Sequence, residues 1–146
     1  MSALTTGIAS FEAVVHGSTA LTYPGSLSEL SNVITATSLN SCGAAIGSTA
    51  VTDWTSFGPF TTFNVTPNVG VNTPLGIVSD TMTRSPNSAT AGSLLLRMNV
   101  DSADARRLDR IVDGGDGGSA GTVRYGFNAT IGQDTLRYIV PVGARC

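Results

Sequence analysis

The chain has 146 residues, a formal net charge of −2, 12% charged residues and 41% hydrophobic residues, and all eight of its basic residues are arginine. That length corresponds to one domain with a sizeable core, and the hydrophobic fraction is too high for a disordered chain. The absence of lysine and the single histidine exclude lysine-dependent catalysis and metal sites built on several histidines, and no apolar run reaches the roughly 20 residues of a transmembrane helix.

The composition is typical of β proteins, because Thr, Ser and Gly are abundant and strong helix formers are few. We therefore predict a mainly β fold, a single antiparallel β-sandwich or barrel-like domain that spans residues 1–146. It should contain one short helix at about 102–113 and a C-terminal β-hairpin at about 122–142. Residues 66–92 alternate short β-like runs with Asn, Pro, Gly and Ser, which predicts long surface loops or an extended arm.

In the N-terminal half, two strands are predicted at residues 8–15 and 33–37, because both runs are rich in β-branched or large apolar residues. Residues 53–63 hold four of the nine aromatic side chains at a spacing of three, with Gly58-Pro59 between them. This spacing fits no long regular element. We therefore predict a loop that runs into a strand at residues 60–65.

The clearest helix follows a predicted core strand at residues 94–100. Asp101 or Ser102 can cap its N-terminus, and Gly114 can end it. One apolar stripe is predicted from the spacing of Ala105, Leu108, Ile111 and Val112.

The C-terminal hairpin is predicted from Gly132-Gln133, which suits a two-residue turn with glycine first. In that register Tyr125 faces Val140, and both belong to one apolar face. The opposite face is polar and carries Arg124, Asn128, Thr130, Thr135 and Arg137.

Two glycine-rich patterns resemble functional motifs but stand in the wrong structural order. Residues 117–121 match the G-x-S-x-G of a nucleophile elbow, and residues 115–120 match a loose dinucleotide-binding pattern. Both motifs need a strand before the loop and a helix after it, whereas here the helix comes first. We therefore predict no catalytic residue, no cofactor and no enzyme activity. The nearby aspartates match the spacing of no calcium loop, so no metal site is predicted, and a structural cation at Asp113 and Asp116 is the alternative.

Aromatic residues provide one candidate contact surface. Trp54, Phe57 and Phe60 are predicted to form a subunit or partner interface. The alternatives are a sugar-stacking platform that includes Tyr23, or ordinary packing in the core.

Charge provides a second candidate surface. Residues 1–83 carry four acidic residues and no basic residue, whereas residues 84–146 carry all eight arginines. Arg124, Asn128 and Arg137 on the polar hairpin face are therefore a candidate contact for an acidic partner or RNA.

Cys42 and Cys146 are too few for a disulfide framework. They can bond to each other, link neighbouring subunits or remain free, and the sequence does not choose among these. The N-terminus lacks a basic segment followed by an apolar one, so we expect no secretory signal.

The functional prediction follows from apolar surface beyond the needs of one core, which favours burial between subunits. We expect a virion structural protein of bacteriophage type, either a self-assembling coat protein or a capsid-decorating (cement) protein, made in the host cytoplasm. Its partners would be copies of itself and other capsid subunits, with nucleic acid a less favoured partner and no membrane partner. The alternative is a surface or secreted adhesin-like or carbohydrate-binding module with Trp54 and Tyr23 as contacts.

Overall fold

One antiparallel sheet organises the fold. The computed structural model describes residues 1–17 and 20–146, and within them the chain forms three α-helices and six strands. The helices are α1 (Ser2–Val14), α2 (Ser48–Phe57) and α3 (Ser102–Asp113), and a short 3₁₀ helix lies at Leu27–Leu30. The strands are β1 (Gly70–Thr73), β2 (Gly76–Ser79), β3 (Thr83–Ser85), β4 (Gly92–Val100), β5 (Val123–Asn128) and β6 (Gln133–Val142).

The strands follow the order β1-β2-β4-β6-β5, each antiparallel to its neighbour, and β3 pairs with the first part of β4. This arrangement confirms the prediction of a mainly β, antiparallel fold. The sheet is not closed on itself, because β1 and β5 lie at its two ends. Helices and loops of the N-terminal half, among them α1 and α2, cover one face of the sheet.

The core lies on the covered face. Side chains of β4 alternate between buried and exposed positions, as expected for a strand with one covered face. The buried residues of β4 are Leu94, Leu96, Met98 and Val100. They form one hydrophobic cluster with residues from α1, α2, β2 and β6.

The prediction of a strand at residues 8–15 was wrong, because most of that segment belongs to α1. Leu4, Ile8 and Phe11 are buried at the i, i+4, i+7 spacing of a helix. Thr5 and Ile8 are β-branched and favour a strand locally, but packing of the apolar helix face against the sheet overrides that propensity.

α2 replaces the predicted loop at residues 53–57. Its buried side chains, Ala50 and Trp54, lie four residues apart, and the helix ends just before Gly58-Pro59. Residues 60–65 and 33–37 both lie in the described part of the chain and contain no strand. The second segment turns instead, since the amide of Ser38 donates to the carbonyl of Thr35 at 3.0 Å.

Residues 66–92 contain the short strands β1, β2 and β3, where long surface loops or an extended arm were predicted. Val78 of β2 pairs with Met98 of β4, which attaches the β1–β2 hairpin to the sheet. Val71 and Val78 are buried. Burial of these two side chains explains why such short runs become strands.

The helix predicted at 102–113 is confirmed as α3, and Gly114 ends it in the left-handed conformation at a φ of 75°. The buried face differs from the predicted stripe. Ala105 is buried, but Ile111 is 72% exposed, and the acidic Asp109 is buried at 3% exposure.

The predicted C-terminal hairpin forms, but residues 129–132 connect its strands, so the connection has four residues. Asn128 holds this loop, because its Oδ1 accepts a hydrogen bond from the amide of Thr130. As a result Tyr125 lies opposite Leu136, four residues from its predicted partner. The difference is an even number of residues, so every side chain keeps its predicted face.

Candidate functional site

The sheet face opposite the core carries the candidate site, and we call it the open face. It is formed by the alternate residues of β4, β6 and β5 whose side chains point away from the core. Its members on these strands include Ser93, Leu95, Arg97, Asn99, Arg124, Asn128, Gln133, Thr135, Arg137, Ile139 and Pro141.

Three arginines cross the open face in one line, which we call the arginine row. Arg97 of β4 pairs with Arg137 of β6, and Arg137 pairs in turn with Arg124 of β5. All three residues are exposed. Directly opposed residues have Cβ atoms about 4.5–5.5 Å apart, so the three arginine side chains leave the sheet close to one another, and Nε of Arg124 donates to the carbonyl of Gly121 at 3.3 Å.

The arginine row is not neutralised by carboxylates. The ion pairs of the described residues join His16 to Asp53 and Arg145 to Glu12, and none involves a member of the row. Like charges directly opposite on paired strands are destabilising. An anionic partner would therefore offset a repulsion that the described residues leave in place.

The arginine row is flanked by groups of two kinds. On one side Asn99 lies opposite Thr135, and the Thr135 hydroxyl donates to Asn99 Oδ1 at 3.4 Å. On the other side Leu95 lies opposite Ile139, and both are half-buried. Arginine binds phosphate through paired N–H groups, and amides and hydroxyls bond to sugars and bases. The open face thus combines the chemistry of a nucleic-acid contact.

The structure places the three predicted contacts, Arg124, Asn128 and Arg137, on this same face. Arg97 is the member that sequence reasoning missed. The alternation of side chains within β4 could have revealed it. Leu96 points toward the core, so Arg97, the next residue, points away from it.

The aromatic residues predicted as an interface do not form one surface patch. Trp54 is 6% exposed, and its indole N–H donates to the carbonyl of Glu29 at 2.6 Å. The ring of Phe60 packs against those of Phe11 and Trp54, with centroids 5.2 and 6.1 Å away. Phe57 is the one of the three predicted residues that is largely exposed, at 60%.

Cys42 and Cys146 are bonded to each other, with a Sγ–Sγ distance of 2.01 Å. The carbonyl of Cys146 also accepts hydrogen bonds from the amide of Tyr23 at 2.9 Å and from the Ser41 hydroxyl at 2.7 Å. Both sulfurs are therefore used within the chain, and neither is available to link subunits.

Three aspartates come together at the C-terminal end of α3. One carboxylate oxygen from each of Asp109, Asp113 and Asp116 lies within 4.8 Å of the other two. The amide of Val123, which donates to Asp113, holds the pKa of that carboxyl below its usual range. Desolvation, together with the neighbouring carboxylates of Asp109 and Asp113, raises the pKa of Asp116. Sequence reasoning set Asp109 aside because it lies on the helix and the spacing matches no calcium loop, and it kept Asp113 and Asp116 as the alternative cation site.

Comparison of the chain with protein-family models, with curated proteins and with solved structures finds no match. Across residues 1–17 and 20–146, no helix is both long enough and apolar enough to cross a membrane. The case for a function therefore depends on the open face and on the exposed surface around it.

Proposed function

We propose that the protein is a structural subunit of a virion, of bacteriophage type, which assembles with copies of itself and turns its open face toward packaged nucleic acid. The observation that carries this proposal is the arginine row of Arg97, Arg137 and Arg124 on one exposed sheet face. The role is structural and not catalytic. The partners are copies of this chain, other capsid subunits and the genome.

A polyanion is the partner that best offsets the arginine row. Neighbouring strands lie 4.7–4.9 Å apart, so three adjacent strands carry the guanidinium groups over about 10 Å. A nucleic-acid backbone presents several phosphates over such a length. Each phosphate can accept paired N–H groups from one arginine, which is stronger than a neutral hydrogen bond.

The acidic net charge of the chain does not oppose this role, because the charge is segregated. All eight arginines lie in residues 84–146, and the N-terminal 83 residues carry none. Copies that turn their open faces inward would add their arginine rows together on one side of a shell. Electrostatic attraction for nucleic acid then grows with the number of copies.

Self-assembly is supported by the free edge of β5. Among the described strands β5 pairs with β6 alone, but on its other edge the amide of Tyr125 donates to the carbonyl of Gly118 at 2.9 Å, so the part of this edge beyond Tyr125 offers backbone N–H and C=O groups to a strand of another copy. Phe127 on β5 is 67% exposed, and Ile131 in the adjoining loop is 43% exposed. Exposed apolar side chains beside an unpaired strand edge are typical of a contact between subunits.

The carbohydrate-binding alternative depended on Trp54 and Tyr23 as stacking contacts. Tyr23 is 9% exposed, and its hydroxyl accepts a hydrogen bond from the amide of Gly143. Trp54 is buried in the core, where its indole N–H donates to the carbonyl of Glu29. A stacking platform needs exposed ring faces, so no observation favours that function.

Assembly is the first part of the test. The full chain is purified and studied by size-exclusion chromatography with light scattering and by negative-stain electron microscopy, with and without single-stranded RNA. We expect closed particles or uniform oligomers that retain nucleic acid. A chain that stays monomeric at every concentration and in both conditions would contradict the proposal.

The arginine row is tested by comparing Arg137→Ser with Arg107→Ser, which removes an exposed arginine from α3. Binding of a single-stranded oligonucleotide is measured at several salt concentrations. We expect Arg137→Ser to weaken binding about tenfold and to reduce the slope of log K against log[salt] by about 0.7, the value for one lost phosphate contact. Arg107→Ser should change both quantities little. Equal effects of the two variants would show that binding does not depend on the open face.

A further inference from the structure

The C-terminal part of α3 buries a carboxylate that is only partly satisfied. Asp109 is 3% exposed. Its Oδ2 accepts the amide of Gly117 at 3.2 Å, but its Oδ1 is buried and has no hydrogen-bond partner among the described residues. A buried charged oxygen without a partner is destabilising unless a donor or a cation meets it.

Two further carboxylates converge on Asp109. Asp113 lies one helical turn later and Asp116 lies in the glycine-rich connection, and one oxygen of each is within 4.8 Å of the others. Gly121 closes the far side of the cluster. A Cβ at Gly121 would lie 2.6 Å from Oδ2 of Asp113 and 2.7 Å from Oδ2 of Asp116. Because Gly121 has no side chain, both carboxylates can occupy this space.

We propose that Asp109, Asp113 and Asp116 bind a calcium ion. Among the described residues no basic side chain forms an ion pair with any of the three, so their mutual repulsion is uncompensated. A divalent cation at their centre removes that repulsion. It would also compensate the buried carboxylate of Asp109, whose Oδ1 has no hydrogen-bond partner among the described residues.

The chemistry of the cluster favours calcium over other cations. All its ligands are carboxylate oxygens, which suit calcium, magnesium and manganese, whereas zinc, copper and nickel prefer sites that include nitrogen or sulfur. Two oxygens that lie up to 4.8 Å apart can share a cation at about 2.4 Å, which is a calcium–oxygen distance. Magnesium demands a near-ideal octahedron at about 2.0–2.1 Å and is usually held by one or two carboxylates, whereas calcium accepts several carboxylates in a flexible geometry.

The proposed site joins α3 to the edge strand of the sheet. Asp113 accepts the amide of Val123, the first residue of β5, at 2.6 Å, and Asp109 accepts the amide of Gly117 in the connection between them. Bound calcium therefore stabilises residues 114–122 beside the free edge of β5. The site does not depend on the virion assignment, and its test is independent of that assignment.

The experiment begins with titration of calcium chloride into the full chain after treatment with a chelator and dialysis, with the heat measured at pH 7.5. We expect one site per chain with a Kd of about 10⁻⁴–10⁻³ M or tighter. Asp116→Asn removes the exposed ligand and should weaken the affinity at least tenfold. Asp101→Asn is the matched control, because it removes the same charge from the other end of α3, where the side chain makes no capping hydrogen bond.

Thermal unfolding supplies a second readout, because the direction of the change in Tm caused by Asp116→Asn should differ with and without calcium. In chelator, Asp116→Asn relieves repulsion, so its Tm should equal or exceed that of the unmodified chain. In saturating calcium the unmodified chain gains stability from the bound ion, and its Tm should rise above that of the variant. A role for Asp116 in packing alone would shift Tm in the same direction under both conditions.

Two results would overturn the proposal that the three aspartates bind a cation. One is the absence of both calcium-dependent heat and a calcium-dependent rise in Tm at millimolar calcium. The other is an Asp116→Asn variant that binds calcium as tightly as the unmodified chain. Magnesium chloride is titrated in parallel, and tighter binding of magnesium would overturn the assignment to calcium.

Discussion

The indole N–H of Trp54 donates a 2.6 Å hydrogen bond to the backbone carbonyl of Glu29, which joins α2 to the 3₁₀ helix at Leu27–Leu30. Both residues are buried. Trp54→Phe removes the donor and leaves empty space, so we expect the free energy of unfolding to fall by roughly 2–4 kcal/mol. Phe57→Leu, at an exposed position of the same helix, should change it by less than about 0.5 kcal/mol. Urea denaturation followed by circular dichroism measures both changes, and equal effects would contradict the difference in burial.

The carboxyl group of Glu29 makes stability depend on pH. Burial, together with the nearby Asp80 carboxylate, raises its pKa from 4.5 to about 7, although the amide of Gly25 acts in the opposite direction. The unfolded chain releases this proton near pH 4.5, whereas the folded chain keeps it until about pH 7. The free energy of unfolding should therefore fall by roughly 3 kcal/mol as the pH rises through this interval.

Glu29→Gln isolates this contribution, because the amide stays uncharged at every pH. We expect the decline in stability between pH 5 and pH 7.5 to disappear in this variant. Glu12→Gln makes the same chemical change at a partly exposed position of α1 and should leave the decline in place. Urea denaturation at half-unit pH steps measures the slopes. A decline that persists in Glu29→Gln would show that another group causes it.

Local signals account for the parts of the fold that could be predicted from the sequence. α3 ends at Gly114 in the left-handed conformation, a signal that acts within a few residues, although the predicted cap Asp101 makes no side-chain capping hydrogen bond. α1 and α2 could not be predicted in this way. Their helical state depends on the burial of a few side chains, such as Ile8 and Trp54, in a core shared with distant strands. Their Thr and Val residues taken alone favour strands.

The candidate site, like the fold, could be predicted from the sequence only where local signals determine it. Arg124 and Arg137 could be placed on one face by strand alternation, because an error of four residues in the register leaves the face unchanged. Their direct opposition depends on the four-residue connection of the hairpin, and the addition of Arg97 depends on pairing between β4 and β6, which are far apart in sequence. The burial of Asp109 was unpredictable for a related reason, since a local pattern places apolar residues on the inner face of a helix.

Arg84 is a buried cation that holds several backbone segments together. It is 5% exposed, and its guanidinium donates to the carbonyls of Ser88, Thr90 and Gly143 at 2.8–2.9 Å. Arg84→Met leaves these acceptors without a donor, so we expect a loss of roughly 2–4 kcal/mol in the free energy of unfolding. Arg97→Met is the control and should leave stability unchanged or slightly higher, because it removes one like charge from the arginine row. Chemical denaturation distinguishes the two, and a comparable loss in both variants would refute the structural role of Arg84.

The bond between Cys42 and Cys146 joins residues 104 positions apart, so it restricts most of the unfolded chain. A loop of that length predicts a loss of about 2–5 kcal/mol in the free energy of unfolding when both cysteines are replaced by serine. The backbone hydrogen bond between Tyr23 and residue 146 does not involve a cysteine side chain, so the double variant should still fold. Denaturation with and without reductant measures the loss in the unmodified chain. On a non-reducing gel we expect one monomer band that migrates faster than the reduced chain, whereas a disulfide-linked dimer would mean that the cysteines pair between subunits.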